Sequence, residues 1–269
     1  MYTPKSFYDE WDRIISNWYQ DKNTLELLMD KNKSLSIDHL PEPYYGDMDG
    51  CSIVIINLNP GTGLCDQCWI RREEPNLFVN DVLKSKKYST YAKSFPLIPG
   101  PGKIAARGPE PSITWWKSRN AWMKRILSHT KANSSKKPFA IELVPLHSKS
   151  FKVANTVDYV KLVIERYPAL DIFEVIGYAI EHSEAEIGLA VGKPIYSVLT
   201  DKSFGDKAYH DVLKNPLQPK ADQRFYQVIE NKMKTHRILC TWSEGSNNAP
   251  AKQFESEESV LIGKYFCRP

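Results

Sequence analysis

No apolar run in this 269-residue chain approaches the roughly 20 residues a membrane-spanning helix needs, so an integral membrane helix is not expected. The opening Met-Tyr-Thr-Pro-Lys has no apolar segment of signal-peptide type, and the chain reads as cytoplasmic. Cysteine is scarce and odd in number, at five, and Cys51 sits inside an apolar run. That argues against a disulfide framework. Cys65 and Cys68 form a lone Cys-x-x-Cys, and the remaining Cys240 and Cys267 are too far apart in sequence to make the second half of a zinc set. A redox or metal role for the pair competes with incidental thiols, and no cofactor is implied. Internal repeats are absent.

Acidic residues are almost missing from one stretch. Between Lys84 and Lys137 there are 13 lysines and arginines against one acid, Glu110. This segment carries +12 and leaves −8 for the rest of a chain whose net charge is +4. Such segregation predicts a basic face for an anionic partner, with Lys103, Arg107 and Lys117 as candidate phosphate contacts. A merely solvated basic face is the competing reading. The rest of the composition, 42% hydrophobic and 25% charged, is ordinary for a globular protein. One domain over residues 1–269 is expected, with an N-terminal helical extension over 1–38, and the chain is expected to be a monomer.

The sequence is organised around Cys51-Ser-Ile-Val-Ile-Ile-Asn-Leu-Asn-Pro-Gly-Thr-Gly63. Cys51 to Leu58 is mostly apolar and β-branched, as in a parallel strand buried on both faces. Asn59-Pro60-Gly61 then ends it, because proline cannot continue a ladder and glycine reaches backbone angles that other residues avoid. In open α/β sheets ligands bind at the carboxyl edge of the strands. Asn59 is therefore either a polar group held at the mouth of a sheet or the cap of a turn.

Around this centre the pattern alternates. Tyr2 to Met29 carries an apolar stripe at helical spacing through Phe7, Trp11, Ile14, Ile15 and Trp18. Leu40-Pro-Glu-Pro-Tyr-Tyr-Gly-Asp47 reads as an extended loop because of its two prolines. Tyr44 and Tyr45 either wall a pocket or cover the core. A short helix is expected over Asn76 to Leu83, and Tyr88 to Pro111 reads as a long irregular loop. The spacing predicts a helix from Ser112, as N-cap, to His129, with Trp115, Trp116 and Trp122 on its buried face.

Phe139 to Leu146 reads as a second buried strand. It is interrupted by Glu142, a carboxylate that needs a partner or a ligand if buried. His147 and Ser148 follow its end. Further on, helices are expected over Thr156 to Arg166, Glu181 to Val191 and Gln223 to Lys234. Strands are expected over Ile172 to Ala179, Ile195 to Leu199 and Arg237 to Trp242, and Phe204 to Pro219 reads as loop. Ser243 to Pro250 is a polar loop containing Ser246, Asn247 and Asn248, and the tail ends in a helix. The alternation predicts a three-layer α/β/α sandwich around a mostly parallel sheet of about four strands.

Three polar strand exits stand in order: Asn59-Pro60-Gly61, Pro145-Leu146-His147-Ser148, and Ser246-Asn247-Asn248-Ala249-Pro250. This arrangement resembles the uracil-DNA glycosylase superfamily. Leu58-Asn59-Pro60-Gly61 is similar to the first motif of its single-strand-selective and mismatch-specific branches, and Pro-Glu-Pro-Tyr-Tyr-Gly-Asp resembles a bacterial branch. The resemblance implies a glycosylase-like fold, nucleic acid (DNA) or a nucleotide as partner, and no membrane association. It implies that Asn59 positions the water that attacks the sugar carbon. Glu142 falls where the family reads the base, with Tyr45, Pro60, Gly61, Ser148, Ser246, Asn247 and Asn248 lining the site.

Two departures qualify the resemblance. The last loop has Ser243-Glu-Gly-Ser where the family carries His-Pro-Ser-Pro, so His147 is the candidate replacement donor for the departing base. Glu142 stands where asparagine is usual; an ionised carboxylate only accepts, which favours a base edge that donates over uracil. Hydrolysis of an N-glycosidic bond is one implied function. Catalytically inactive binding of a nucleotide or nucleic acid on the same fold is the other.

Overall fold

The computed structural model describes residues 2–21, 35–36, 41–58, 87–94, 110–132, 136–148, 154–218, 224–243 and 249–267. They fall into two compact units. One draws on Met1–Gly46, Leu58–Ile113 and Ile141–Val175, the other on Asp47–Asn57, Thr114–Ala140 and Ile176–Pro269.

In the first unit helix α1, Pro4–Gln20, begins with proline in its first turn and is capped by the Thr3 side chain, which accepts from the Ser6 amide. Its stripe of Phe7, Trp11, Ile14, Ile15 and Trp18 is buried, as the spacing requires. Residues 22–29 of the expected helix lie outside the described residues. Strand β2, Tyr44–Tyr45, places the fully buried Tyr44 ring 5.1 Å from Phe7 and 5.3 Å, edge to face, from Tyr88. Of the two roles open to it, Tyr44 therefore covers the core.

Tyr88 opens helix α2, Tyr88–Ser94, a stretch that the sequence predicts as loop. Asp12 of α1 accepts from both the amide and the hydroxyl of Ser89, at 2.7 and 2.6 Å, and so holds the start of α2. Strand β1, Leu35–Ser36, pairs antiparallel with β5, His147–Ser148. Helix α4, Ala154–Arg166, completes the unit's described helices with the first turn of α5, Ile172–Glu181.

Helix α3, Glu110–Ser128, starts two residues before its expected cap, so Ser112 lies inside the first turn. In the second unit it buries Trp122, Met123, Ile126 and Leu127. Trp115 and Trp116 are described only as helical backbone. The unit's sheet runs β4-β3-β6-β9-β8-β7, with β4 at Phe139–Glu142, β3 at Val54–Asn57, β6 at Ile187–Val191, β9 at Arg237–Ser243, β8 at Arg224–Glu230 and β7 at His210–Asp211. β3, β6 and β9 are parallel and mostly buried, whereas β9-β8 and β8-β7 are antiparallel. Helix α6, Lys193–Leu199, follows β6, and α7, Glu255–Tyr265, ends the fold.

The architecture is thus α/β with a mixed sheet of seven strands, β2 being the seventh, against an expectation of about four mostly parallel ones. Four segments change type. Ile172–Glu181 is helix, with the Asp171 side chain accepting from the Phe173 amide at its start. Ile187–Val191 is strand inside the stretch expected to be helical, and Lys193–Leu199 is helix where a strand is expected. Arg224–Glu230 is strand rather than helix, and forms a hairpin with β9 that Asn231 closes by accepting from the Thr235 and His236 amides. Among the described residues no helix is long and apolar enough to cross a membrane.

Candidate functional site

The site is built in the first unit on the segment Pro41-Glu42-Pro43. Two prolines fix its backbone, and two hydrogen bonds strap it to the end of β4 and the chain beyond: the Glu142 amide donates to the Pro43 carbonyl at 3.0 Å, and the Glu42 amide to the Pro145 carbonyl at 2.9 Å. This places the Glu42 carboxylate between two side chains. The Tyr45 hydroxyl donates to its Oε2 at 2.5 Å. His147 Nε2 lies 3.4 Å from its Oε1, within ion-pair range. The His147 side chain is only 4% exposed, while Glu42 remains 26% exposed. The buried partners therefore hold a carboxylate that still reaches solvent. A carboxylate only accepts, so the tautomer of His147 that pairs with it is the one with the proton on Nε2.

The neighbouring strand end is fixed by backbone bonds. Phe139 N donates to Ile53 O at 3.0 Å, and Val144 N to Leu58 O at 2.8 Å. The two bonds tie the chain around β4 to the chain around β3 at positions five residues apart. Leu58, the residue before Asn59, is thereby held beside the segment that leads to His147.

The expected site residues divide as follows. Tyr45 and His147 are brought together through Glu42. Tyr45 is buried with its hydroxyl engaged, which leaves it supporting a carboxylate rather than presenting a stacking face. Ser148 pairs through its backbone with Leu35. Glu142 is buried and lines a small cavity with Phe7, Trp11, Val160 and Val163, and with Pro43 and Pro145 of the two strapped segments; Glu42, Tyr45 and His147 are not among its walls. The cavity has room for about one water molecule, far short of a nucleobase. Lys117 is exposed on α3, one helical face with Lys124. Asn59, Pro60, Gly61, Lys103, Arg107, Ser246, Asn247 and Asn248 lie outside the described residues. So do Cys65 and Cys68; among the described residues no three His, Cys, Asp or Glu side chains converge as a metal site.

Glu42 is the residue that reading the sequence missed. Its signal was an acid locked between two prolines with a tyrosine three residues on, inside a segment assigned to loop. No protein-family model, no curated protein and no solved structure matches this chain.

Proposed function

We propose that the chain binds nucleic acid and hydrolyses the N-glycosidic bond of a damaged base, with a water positioned by Asn59. The observation that supports this most is the backbone bond from Val144 N to Leu58 O, with a buried histidine held on a carboxylate three residues after Val144. Ligands of open α/β sheets bind beyond such strand ends. In this reading the water oxygen bonds the sugar C1′ as the C1′–N bond breaks. The bonding pair departs with the base, and a proton lost by the water balances the one the base gains. With Nε2–H turned to Glu42, His147 donates to the departing base through Nδ1–H as the imidazolium, a donor worth most in a water-poor site. An extruded base requires the duplex to be gripped by its phosphates, a role that fits the basic segment with Lys103, Arg107, Lys117 and Lys124.

Binding without cleavage is the second reading. Ser243-Glu-Gly-Ser in place of a histidine-bearing loop favours it. The two are separated by incubating the protein with oligonucleotides carrying uracil, hypoxanthine, xanthine or alkylated bases, followed by alkaline cleavage and a parallel gel-shift. Abasic product from at least one substrate supports hydrolysis. A salt-sensitive shift with no abasic product supports binding alone, and neither signal on any oligonucleotide refutes both.

A further inference from the structure

We propose that Glu42 is the positioning residue of this site: its carboxylate orients His147 through Nε2 and ties Tyr45 to the same anchor. The geometry comes from one compact unit. Pro41 and Pro43 restrict the backbone on either side of Glu42, and the Glu42 amide is bonded to Pro145, two residues before His147. The carboxylate therefore moves with the segment that carries the histidine. Each of its oxygens faces a different side chain, His147 Nε2 at Oε1 and the Tyr45 hydroxyl at Oε2.

A lone buried histidine can sit in either tautomer or flip its ring, and which nitrogen is protonated follows from the partner of the other. Opposite an acceptor-only carboxylate, the proton is fixed on Nε2. Tyr45 limits the carboxylate to one rotamer by holding the second oxygen. Glu142, expected from the sequence to be the carboxylate of the site, lines a small cavity with Phe7 and Trp11 of α1. Glu42 takes over the place of a site carboxylate, acting through His147 rather than on a substrate.

The orienting role stands on the geometry alone; its catalytic consequence rests on the proposed function. The test uses the full chain in two measurements. Long-range 1H–15N correlation spectra of the histidine rings, with His147 assigned by His147→Gln, report the tautomer directly. In the wild type His147 is expected to carry its proton on Nε2. In Glu42→Ala it is expected to move to a mixture of tautomers, while Glu42→Gln, which keeps an acceptor oxygen, is expected to retain the wild-type pattern in part. Circular dichroism checks that each variant is folded. If Glu42→Ala does not fold, Tyr45→Phe provides the second probe, with broadened His147 resonances expected as the carboxylate gains rotamer freedom. Unchanged His147 spectra in folded Glu42→Ala, or in Tyr45→Phe where that is the probe, overturn the inference whatever the activity.

Where base release is detected, Glu42→Gln is expected to lower kcat by about tenfold or more with KM within about twofold. Combining it with His147→Gln is expected to add nothing further, because the two act as a unit. Fully additive losses overturn the positioning role. Spectra that change as expected in a protein that releases no base uphold the orienting role and count only against the proposed function.

Discussion

Removing Glu258 should be among the most damaging single changes in the second unit. Its carboxylate is fully buried and accepts from Trp122 Nε1 at 2.9 Å, from Arg125 Nε at 2.6 Å and Nη2 at 3.1 Å, and from the Tyr226 hydroxyl at 3.1 Å. It therefore joins α3, β8 and α7. Glu258→Ala leaves a nearly buried guanidinium without its anion, a loss of about 3–5 kcal/mol. At about 2–4 °C per kcal/mol for a chain of this size, that is a fall in Tm of about 10 °C. Urea unfolding followed by circular dichroism measures it. A loss below about 1 kcal/mol would refute the reasoning. Replacing both partners by apolar residues, Glu258→Leu with Arg125→Met, should cost less than Glu258→Ala alone, because no charge is left stranded.

The same group carries a pH signature. Burial raises the Glu258 carboxyl above its ordinary value, against the pull of Arg125, Tyr226 and Trp122 in the other direction. A raised folded value contributes stability that is complete below the ordinary value near 4.5 and is lost as pH climbs through the folded one. Glu258→Gln cannot titrate. The stability gap between wild type and Glu258→Gln should therefore narrow as pH rises across that window; a gap that widens contradicts the assignment.

Three other outcomes follow from the packing and the charge. A Cβ at Gly188 meets Ile180 Cδ1 and Ile238 Cγ1, each at 2.9 Å, so Gly188→Ala should lower stability by about 1–3 kcal/mol in urea titration. Burial pushes the Cys51 thiol up to about 12 and raises Cys240 further, whereas Cys267 is exposed. Iodoacetamide at pH 8 should alkylate Cys267 in the native protein and reach Cys51 and Cys240 only on unfolding, as mapped by peptide mass. Lys117 and Lys124 are exposed on α3, and replacing each by alanine should reduce the slope of log K against log salt for duplex binding by about 1, read by fluorescence anisotropy.

What could be read from the sequence was the run of β-branched residues and the helix with a clear apolar stripe. Val54–Asn57, Phe139–Glu142 and Arg237–Ser243 are strands where expected, α1 is helical within its expected range, α3 and α4 are helices that start two residues early, and α7 is the helix expected in the tail. The misread segments are those where periodicity is silent. Ile172-Phe-Glu-Val-Ile-Gly-Tyr-Ala-Ile-Glu181 is apolar nearly all round, and a buried helix then looks like a buried strand. Its start signal, Asp171 accepting from the Phe173 amide, was the better guide. Gly192, at φ 122°, followed by Lys193-Pro194 marks the break before α6, with proline in its first turn. The β8-β9 hairpin has no Asn-Gly or Asp-Gly turn; Asn231 closes it with its side chain while Lys234 takes a φ of 58°.

Within the site, His147 was legible as a polar residue past a strand end. Glu42 was not, because its importance comes from backbone strapping to residues a hundred positions away. Glu142 was legible as a buried carboxylate, but the cavity it lines is made by Phe7 and Trp11 of α1 and Val160 and Val163 of α4, which its own strand does not announce.

Single-turnover release of base from the best-cleaved oligonucleotide, compared between wild type and Asn59→Ala, tests the central claim most directly. Loss of a water-positioning group predicts a rate lower by about 10²–10⁴-fold with duplex affinity retained. Equal rates in the two proteins would contradict it.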